Sequence, residues 1–297
     1  MSSVAQLQSG KGHHDENFPV ASFLIAPRHR APVLAFYKFV RAADDVSDNA
    51  STAPEEKLKL LEEMRASLVG ESDTVPEGVA LRATLSERGL SPVHALDLLE
   101  AFRRDCTKLR YRDWEDLIDY CRYSAMPVGR FVLDVHGESQ GLWPANDALC
   151  AALQVINHLQ DCAKDYRELN RVYIPEPMLQ AAGVGVEALA RDKANPALAG
   201  VISALARKNA GLLEISRPFA GGIKDGRLAL EVDLIQTLAD DLNVLLMNRD
   251  PLSEAVHHSK MDVAALFLKR FPAFALMRLT RRRSSPKSPQ GSSKRSS

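Results

Sequence analysis

The 297-residue chain carries 38 lysines and arginines against 38 aspartates and glutamates, so its formal net charge is zero and charge alone selects no polyanionic partner. With 45% hydrophobic and 26% charged residues it has the material for a large core, which excludes disorder over most of its length. Its four cysteines form no CxxC pair and have no histidines at zinc-finger spacing, which argues against a disulfide framework and a structural zinc site and fits a reducing cytoplasm.

The opening stretch MSSVAQLQSGKGHHDEN lacks the apolar run of a secretory leader. Beyond it, nearly every segment between Gly, Pro and Ser punctuation shows apolar residues at helical spacing, and none shows sustained strand alternation. The spacing predicts helices over 32–48, 54–69, 77–88, 92–109, 114–138, 146–168, 196–217, 226–247 and 261–270, hence an all-α fold built as one large domain over 14–277. Start signals agree: Thr52 with Glu55 reads as a capping box, Ser91 and Asn195 each precede a proline suited to a first turn, and Asp113 precedes Trp114 and Glu115. Val263 to Leu279 is the most apolar late stretch, but Lys269, Arg270 and Pro272 interrupt it short of the roughly 20 apolar residues a membrane span needs. Residues 1–13 are expected to be flexible and 278–297 to form a disordered tail, where Arg281, Arg282, Arg283, Lys287, Lys294 and Arg295 lie among Ser, Pro and Gly without an acid.

Candidate chemistry starts in the first helix, in AFYKFVRAADDVSDN. Asp44 and Asp48 stand four apart and Asp45 and Asp48 three apart, along one face, where like charges repel by about 0.2 to 0.5 kcal/mol and need solvent or a cation. The residues upstream are apolar and aromatic, so this helix is expected to be buried on most sides. A second stripe, Asn157, Asp161 and Asp165 at steps of four, is followed by Arg167, Arg171 and Tyr173. Taken alone, Gln154, Asn157, His158, Asp161, Asp165 and Glu168 also read as an ordinary solvated face. Asp240 and Asp241, an acidic pair read as merely exposed, show that such pairs are not diagnostic singly. Two separated clusters, each on a helix and flanked by arginine, change the balance. Facing one another they would form an oxygen-rich site of the kind Mg²⁺ prefers, bridging carboxylates to substrate phosphates, with Arg41 and Arg171 suited to phosphate oxygens. The substrate class that follows is a diphosphate.

RAADDVSD at Arg41 to Asp48, YCRYSAMPVGR at Tyr120 to Arg130, and NHLQDCAKD with NRVYIP from Asn157 to Pro175 together resemble the squalene and phytoene synthase family, an all-α isoprenoid synthase type with a central cavity. The resemblance runs from about His14 to about Leu252. ENFPVAS at Glu16 to Ser22 and PVGR at Pro127 to Arg130 are most similar to the bacterial branch that makes hydroxysqualene for hopanoids. The resemblance implies Mg²⁺-dependent loss of diphosphate from presqualene diphosphate and capture of the cation by water. It implies that Asp44, Asp45, Asp48, Asp161 and Asp165 hold Mg²⁺ with Asn157 beside them, that Arg41, Arg171, Tyr37 and Tyr173 grip the diphosphate, and that Tyr120, rather than Tyr123, stands near the reacting carbons. Asn157, His158 and Gln160 offer donors and acceptors for a water, so Gln160 joins the substrate-binding set. Phe18, Phe36, Phe131 and Tyr120 are candidates for the cation-facing wall, the phenylalanines reading equally as core.

The partners expected are the prenyl diphosphate, the enzymes that make presqualene diphosphate and reduce hydroxysqualene, and peripherally the anionic inner face of the membrane through the basic tail. No basic and aromatic interleaving points to nucleic acid. Two other readings remain open: an enzyme of the same fold that condenses farnesyl or geranylgeranyl diphosphate, and a non-catalytic helical scaffold. No nicotinamide fingerprint is present, since Gly221, Gly222 and Gly226 follow no strand.

Overall fold

Proline opens many of the helices, as its fixed φ and missing N–H favour in a first turn. The computed structural model describes Val4 and residues 26–284, with no strand among them. In chain order the helices are α1 (Pro27–Asp48), α2 (Pro54–Val69), α3 (Pro76–Arg88), α4 (Val93–Asp105), α5 (Trp114–Ser124), α6 (Met126–His136), α7 (Trp143–Gln160), α8 (Cys162–Leu169), α9 (Glu176–Ala181), α10 (Pro196–Ser216), α11 (Phe219–Gly222), α12 (Gly226–Asn248) and α13 (Lys260–Ser284). ENFPVAS, Phe18 and residues 285–297 lie outside the described residues.

The expected helices are present, with physical reasons where they differ. The predicted 114–138 helix breaks at Ala125 (φ −129°, ψ −46°), because Pro127 favours a new first turn. The predicted 146–168 helix starts at Trp143, ahead of Pro144, and changes course at Asp161 (φ −98°, ψ 7°) while keeping its hydrogen-bond ladder across the bend. Helix α13, expected over 261–270, runs from Lys260 through Ser284 and so into the segment from 278 expected to be a disordered tail, since Pro272 is accommodated inside it and arginine is a good helix former. Thr52 does not cap α2: Pro54 begins that helix, and the Thr52 hydroxyl donates to Asn49 instead. Asp113 and Asn195 cap as expected, accepting from the amides of Asp116 and Leu198.

Two cores result. One joins α1 to α4 with Phe39, Leu61, Met64 and Leu99. The other joins α7, α10 and α12 with Val155, Ile202, Leu205 and Ala239. At its centre buried Asn209 donates to the Ala152 carbonyl and to Asn243 Oδ1, satisfying polar groups between three helices. Phe131 of α6 packs into the first core and Leu133 into the second, and the candidate site lies where the two cores meet.

Candidate active site

Helix α1 turns Tyr37, Arg41, Asp44 and Asp48 toward a cavity of about 300 Å³, and α7 with α8 turns Gln154, Asn157, Asp161 and Asp165 toward the same space. Steps of three and four residues keep each row on one helical face. The bend at Asp161 does not scatter the second row, because the Asp161 amide still donates to Asn157 O at 2.9 Å and the Asp165 amide to Asp161 O at 2.8 Å.

Arginine reaches the site through a reversal. Asn170 ends α8 at φ 52°, a left-handed conformation that asparagine tolerates, and the Arg171 amide then donates to Asp165 O. Val172 donates to the Leu109 carbonyl at 3.0 Å, which pins the returning chain. The buried Arg171 guanidinium donates to Asp48 Oδ1 at 2.6 Å and to the Ser47 carbonyl at 3.1 Å, tying the second segment to the first. Arg41 lies 2.9 Å from Asp44 and 3.0 Å from Asp45.

The charge in this cavity is poorly hydrated. Burial pushes the Asp44 carboxyl up, with Asp48 adding and Arg41 opposing. Burial, then Asp161 and Asp48, push Asp165 up to about 7. A bound cation would relieve both. Among the described residues no three His, Cys, Asp or Glu side chains form a closed metal cage. The two carboxylate rows are hard oxygen donors of the kind Mg²⁺ takes, a cation that keeps several waters and uses a few carboxylates with phosphate oxygens.

Tyr37, Arg41, Asp44, Asp48, Tyr120, Asn157, Asp161, Asp165, Arg171 and Tyr173 therefore share one cavity. Asp45 and Gln160 do not line it. Asp45 is one residue, about 100° of helical rotation, from Asp44 and bonds Arg41 from behind. Gln160 is turned away, its amide donating to the Val256 carbonyl at 2.5 Å. Phe36 and Phe131 stack on each other at 3.9 Å in the first core, not on the cavity. Tyr123 lies under the Arg104 guanidinium, which leaves Tyr120 as the tyrosine of α5 in the site. Asp240 and Asp241 are half-buried and paired, with Arg217 at 3.4 Å and His258 at 2.8 Å, rather than merely exposed.

Asp105 was not anticipated. It follows Leu98 and Phe102 on the cavity face of α4, and the Tyr120 hydroxyl donates to its Oδ2 at 2.8 Å. An acid at the end of an apolar stripe was the available signal. His158 stacks on Tyr173 with ring centroids 3.4 Å apart, and burial, assisted by Arg171, pushes its pKa down to about 3. In PVGR only Val128 lines the cavity. Arg130 Nε donates to Asp147 Oδ1 at 2.8 Å and its guanidinium covers Trp143, so the arginine fastens α6 to α7.

The profile described as squalene/phytoene synthase matches residues 11–262. The chain is 58% identical to the hydroxysqualene synthase of Rhodopseudomonas palustris over 86% of this chain and 88% of that one. It is 55% identical to the hydroxysqualene synthase of Zymomonas mobilis, over 89% and 90% respectively. The crystal structure of squalene synthase HpnC from Alicyclobacillus acidocaldarius superposes with a TM-score of 0.66 at 29% identity, covering 92% of this chain and 93% of the other. A dehydrosqualene synthase bound to a ligand, at 21% identity and a TM-score of 0.73 over 92% of this chain and 96% of that one, shares the fold.

Proposed function

The chain belongs to the squalene/phytoene synthase family, and from that premise we propose that it converts presqualene diphosphate and water to hydroxysqualene and diphosphate. The observation that carries the reaction type is that two carboxylate rows, together with Arg41 and Arg171, line one cavity. The choice of product follows the relatives named hydroxysqualene synthase, which match most of the chain at 52% to 58% identity.

Asp44, Asp48, Asp161 and Asp165, with Asn157 beside them, are the residues that would hold Mg²⁺. When bound, Mg²⁺ supplies neutralising charge to a leaving diphosphate. Arg171 is fixed by Asp48 and Ser47 before substrate arrives, so its guanidinium needs no reordering to meet phosphate oxygens. Tyr37 and Arg41, from the same face of α1, complete that end of the cavity. Apolar and aromatic side chains, Val40, Leu98, Phe102, Val128, Tyr120 and Tyr173, share the rest of the lining with Asp105, Ser124, Gln154 and His158. The apolar part of the wall keeps bulk water from a carbocation while the tyrosine rings stabilise it by about 0.5 to 2 kcal/mol each.

For location we infer docking on an anionic membrane surface through α13. Among the described residues no helix is long and apolar enough to cross a membrane. The inner face of α13 seats Phe274 in the core, whereas Met261, Leu268, Leu276 and Leu279 form an outward stripe 59% to 82% exposed. From Val263 to the end the chain has nine lysines and arginines and no acid. Arg270 is held by Asp233 and Arg278 by the Ile223 and Lys224 carbonyls, and an exposed apolar stripe in a stretch with no acid of its own suits an interfacial helix on anionic lipid.

The test is to supply presqualene diphosphate and farnesyl diphosphate separately with Mg²⁺ and identify the extracted lipid by mass spectrometry. Hydroxysqualene from presqualene diphosphate, without a nicotinamide, is expected. Presqualene diphosphate accumulating from farnesyl diphosphate would reassign the chain to condensation, and squalene formed only with a nicotinamide would reassign it to reduction. Asp44→Asn and Asp161→Asn should each abolish diphosphate release with the helical circular dichroism unchanged. Retained activity in both rejects the two-row site.

A further inference from the structure

Asp105 Oδ1, Ser124 Oγ and His158 Nε2, buried polar atoms of cavity-lining residues, have no hydrogen-bond partner among the described residues. Buried polar atoms are almost always satisfied, by protein or by ordered water. All three residues surround Tyr120. Ser124 follows it by one turn of α5, the His158 ring lies 6.0 Å from its ring, and its hydroxyl donates to Asp105 Oδ2 at 2.8 Å. Asp105 is only 6% exposed, and Leu98 and Phe102 on the same face of α4 leave the carboxylate no polar neighbour on its own helix that lines the cavity. A water is retained at a buried site that offers it about two to four polar partners, and these residues around Tyr120 are the unpartnered ones in this part of the wall. Of the amides on α7, Gln160 is withdrawn to the Val256 carbonyl, while Gln154 and Asn157 line the cavity on the side of the second carboxylate row.

We propose that Asp105 holds, through its free Oδ1, the water that captures the substrate carbocation, and that this carboxylate accepts the proton the water loses. The inference rests on the hydration reading above. A lone pair of the water oxygen forms the new C–O bond. One O–H bond breaks with its electrons remaining on oxygen, and the proton passes to Oδ1. The product is a neutral alcohol and a neutral carboxyl, with no change of oxidation state to balance. Tyr120 fixes the geometry, because its O–H engages Oδ2 and leaves Oδ1 as the oxygen without a partner among the described residues. Burial also pushes the Asp105 carboxyl up to about 7, opposed by Arg171, which makes it a competent acceptor near neutral pH. His158 Nε2 and Ser124 Oγ, unpartnered on the same wall, are the further polar groups such a water would bond.

The experiment uses the full chain with Mg²⁺ and presqualene diphosphate, and measures diphosphate release and the extracted lipid separately. Asp105→Asn keeps the shape but cannot take the proton. It should leave the KM for diphosphate release within about threefold while the alcohol-to-hydrocarbon ratio falls at least about tenfold, as cations lose a carbon-bound proton instead. A purely structural role for Asp105 would lower release and alcohol together and leave their ratio unchanged, and that result overturns the proposal. So does an unchanged yield of alcohol, which would make the departing diphosphate the acceptor. If circular dichroism shows Asp105→Asn unfolded, Ser124→Ala decides: loss of one hydrogen bond to the water should lower the ratio about fivefold, and no change overturns the proposal. A wild-type chain that releases no diphosphate sinks the hydration reading and this inference with it, whereas alcohol formed equally by wild type and variant sinks this inference alone.

Discussion

His158 shows how far one residue can be displaced from its solution behaviour. It is 8% exposed, sandwiched by Tyr173, and held neutral with its pKa near 3 against an ordinary value of 6.5. The unfolded chain therefore binds a proton here between those values and the folded chain does not, so this residue's contribution to stability is complete above pH 6.5 and is lost as pH falls toward 3. At pH 5 the loss is about 2 kcal/mol. Phenylalanine keeps the stacking and does not titrate. In metal-free thermal melts, the melting temperature of His158→Phe relative to wild type should rise as pH is lowered from 7 to 5. A constant difference would mean that the imidazole is hydrated in the folded state. Asp45 and Gln160 carry the complementary lesson. Each is one helical step from a cavity residue, and a rotation of about 100° places it among other partners.

At the scale of elements, the junction of α6 and α7 depends on Gly129. A Cβ there would stand 2.0 Å from Asn146 Oδ1 and 2.7 Å from Cys150 Sγ, and Asn146 is itself buried, donating to the Met126 carbonyl at 3.3 Å. Helices this close have no room to yield without losing that bond. Gly129→Ala should lower stability by about 1 to 3 kcal/mol in denaturant titrations, despite the better helix propensity of alanine. Unchanged stability would show that Asn146 swings aside freely. Val128, the adjoining residue, lines the cavity, so turnover should fall as well. The bend at Asp161 was not legible in the sequence, because no Gly or Pro marks it and the ladder continues through it. The break at Ala125 was legible in principle, from Pro127.

At the scale of the whole molecule, α13 presents one apolar face to the core and another outward. A helix with a single apolar stripe would need no further partner. Full-length protein should therefore bind vesicles of phosphatidylglycerol and phosphatidylcholine by two separable contributions. A chain ending at Thr280 should lose the salt-sensitive part, each cation being worth about 1 kcal/mol near such a surface, while turnover of dispersed substrate stays unchanged. Leu268→Ser with Leu276→Ser should weaken the salt-resistant part. Equal vesicle binding by all three proteins rejects the docking face, and dimers that dissociate in the double variant would assign it to a second copy of the chain.

What the sequence determined by itself was local. Helical spacing in Tyr37, Arg41, Asp44 and Asp48, and in Asn157, Asp161 and Asp165, is a property of neighbouring residues, so the all-α class and both candidate rows could be read from it. Tertiary structure alone decided what stands opposite each face. Phe36 and Phe131 met each other in the core, Asp240 and Asp241 met Arg217 and His258, and Asp105 met Tyr120 across two helices. The reason is that a helix repeats its own pattern every 3.6 residues but carries no information on which distant helix will bury it. That pairing is set by the packing of two cores whose residues lie far apart along the chain.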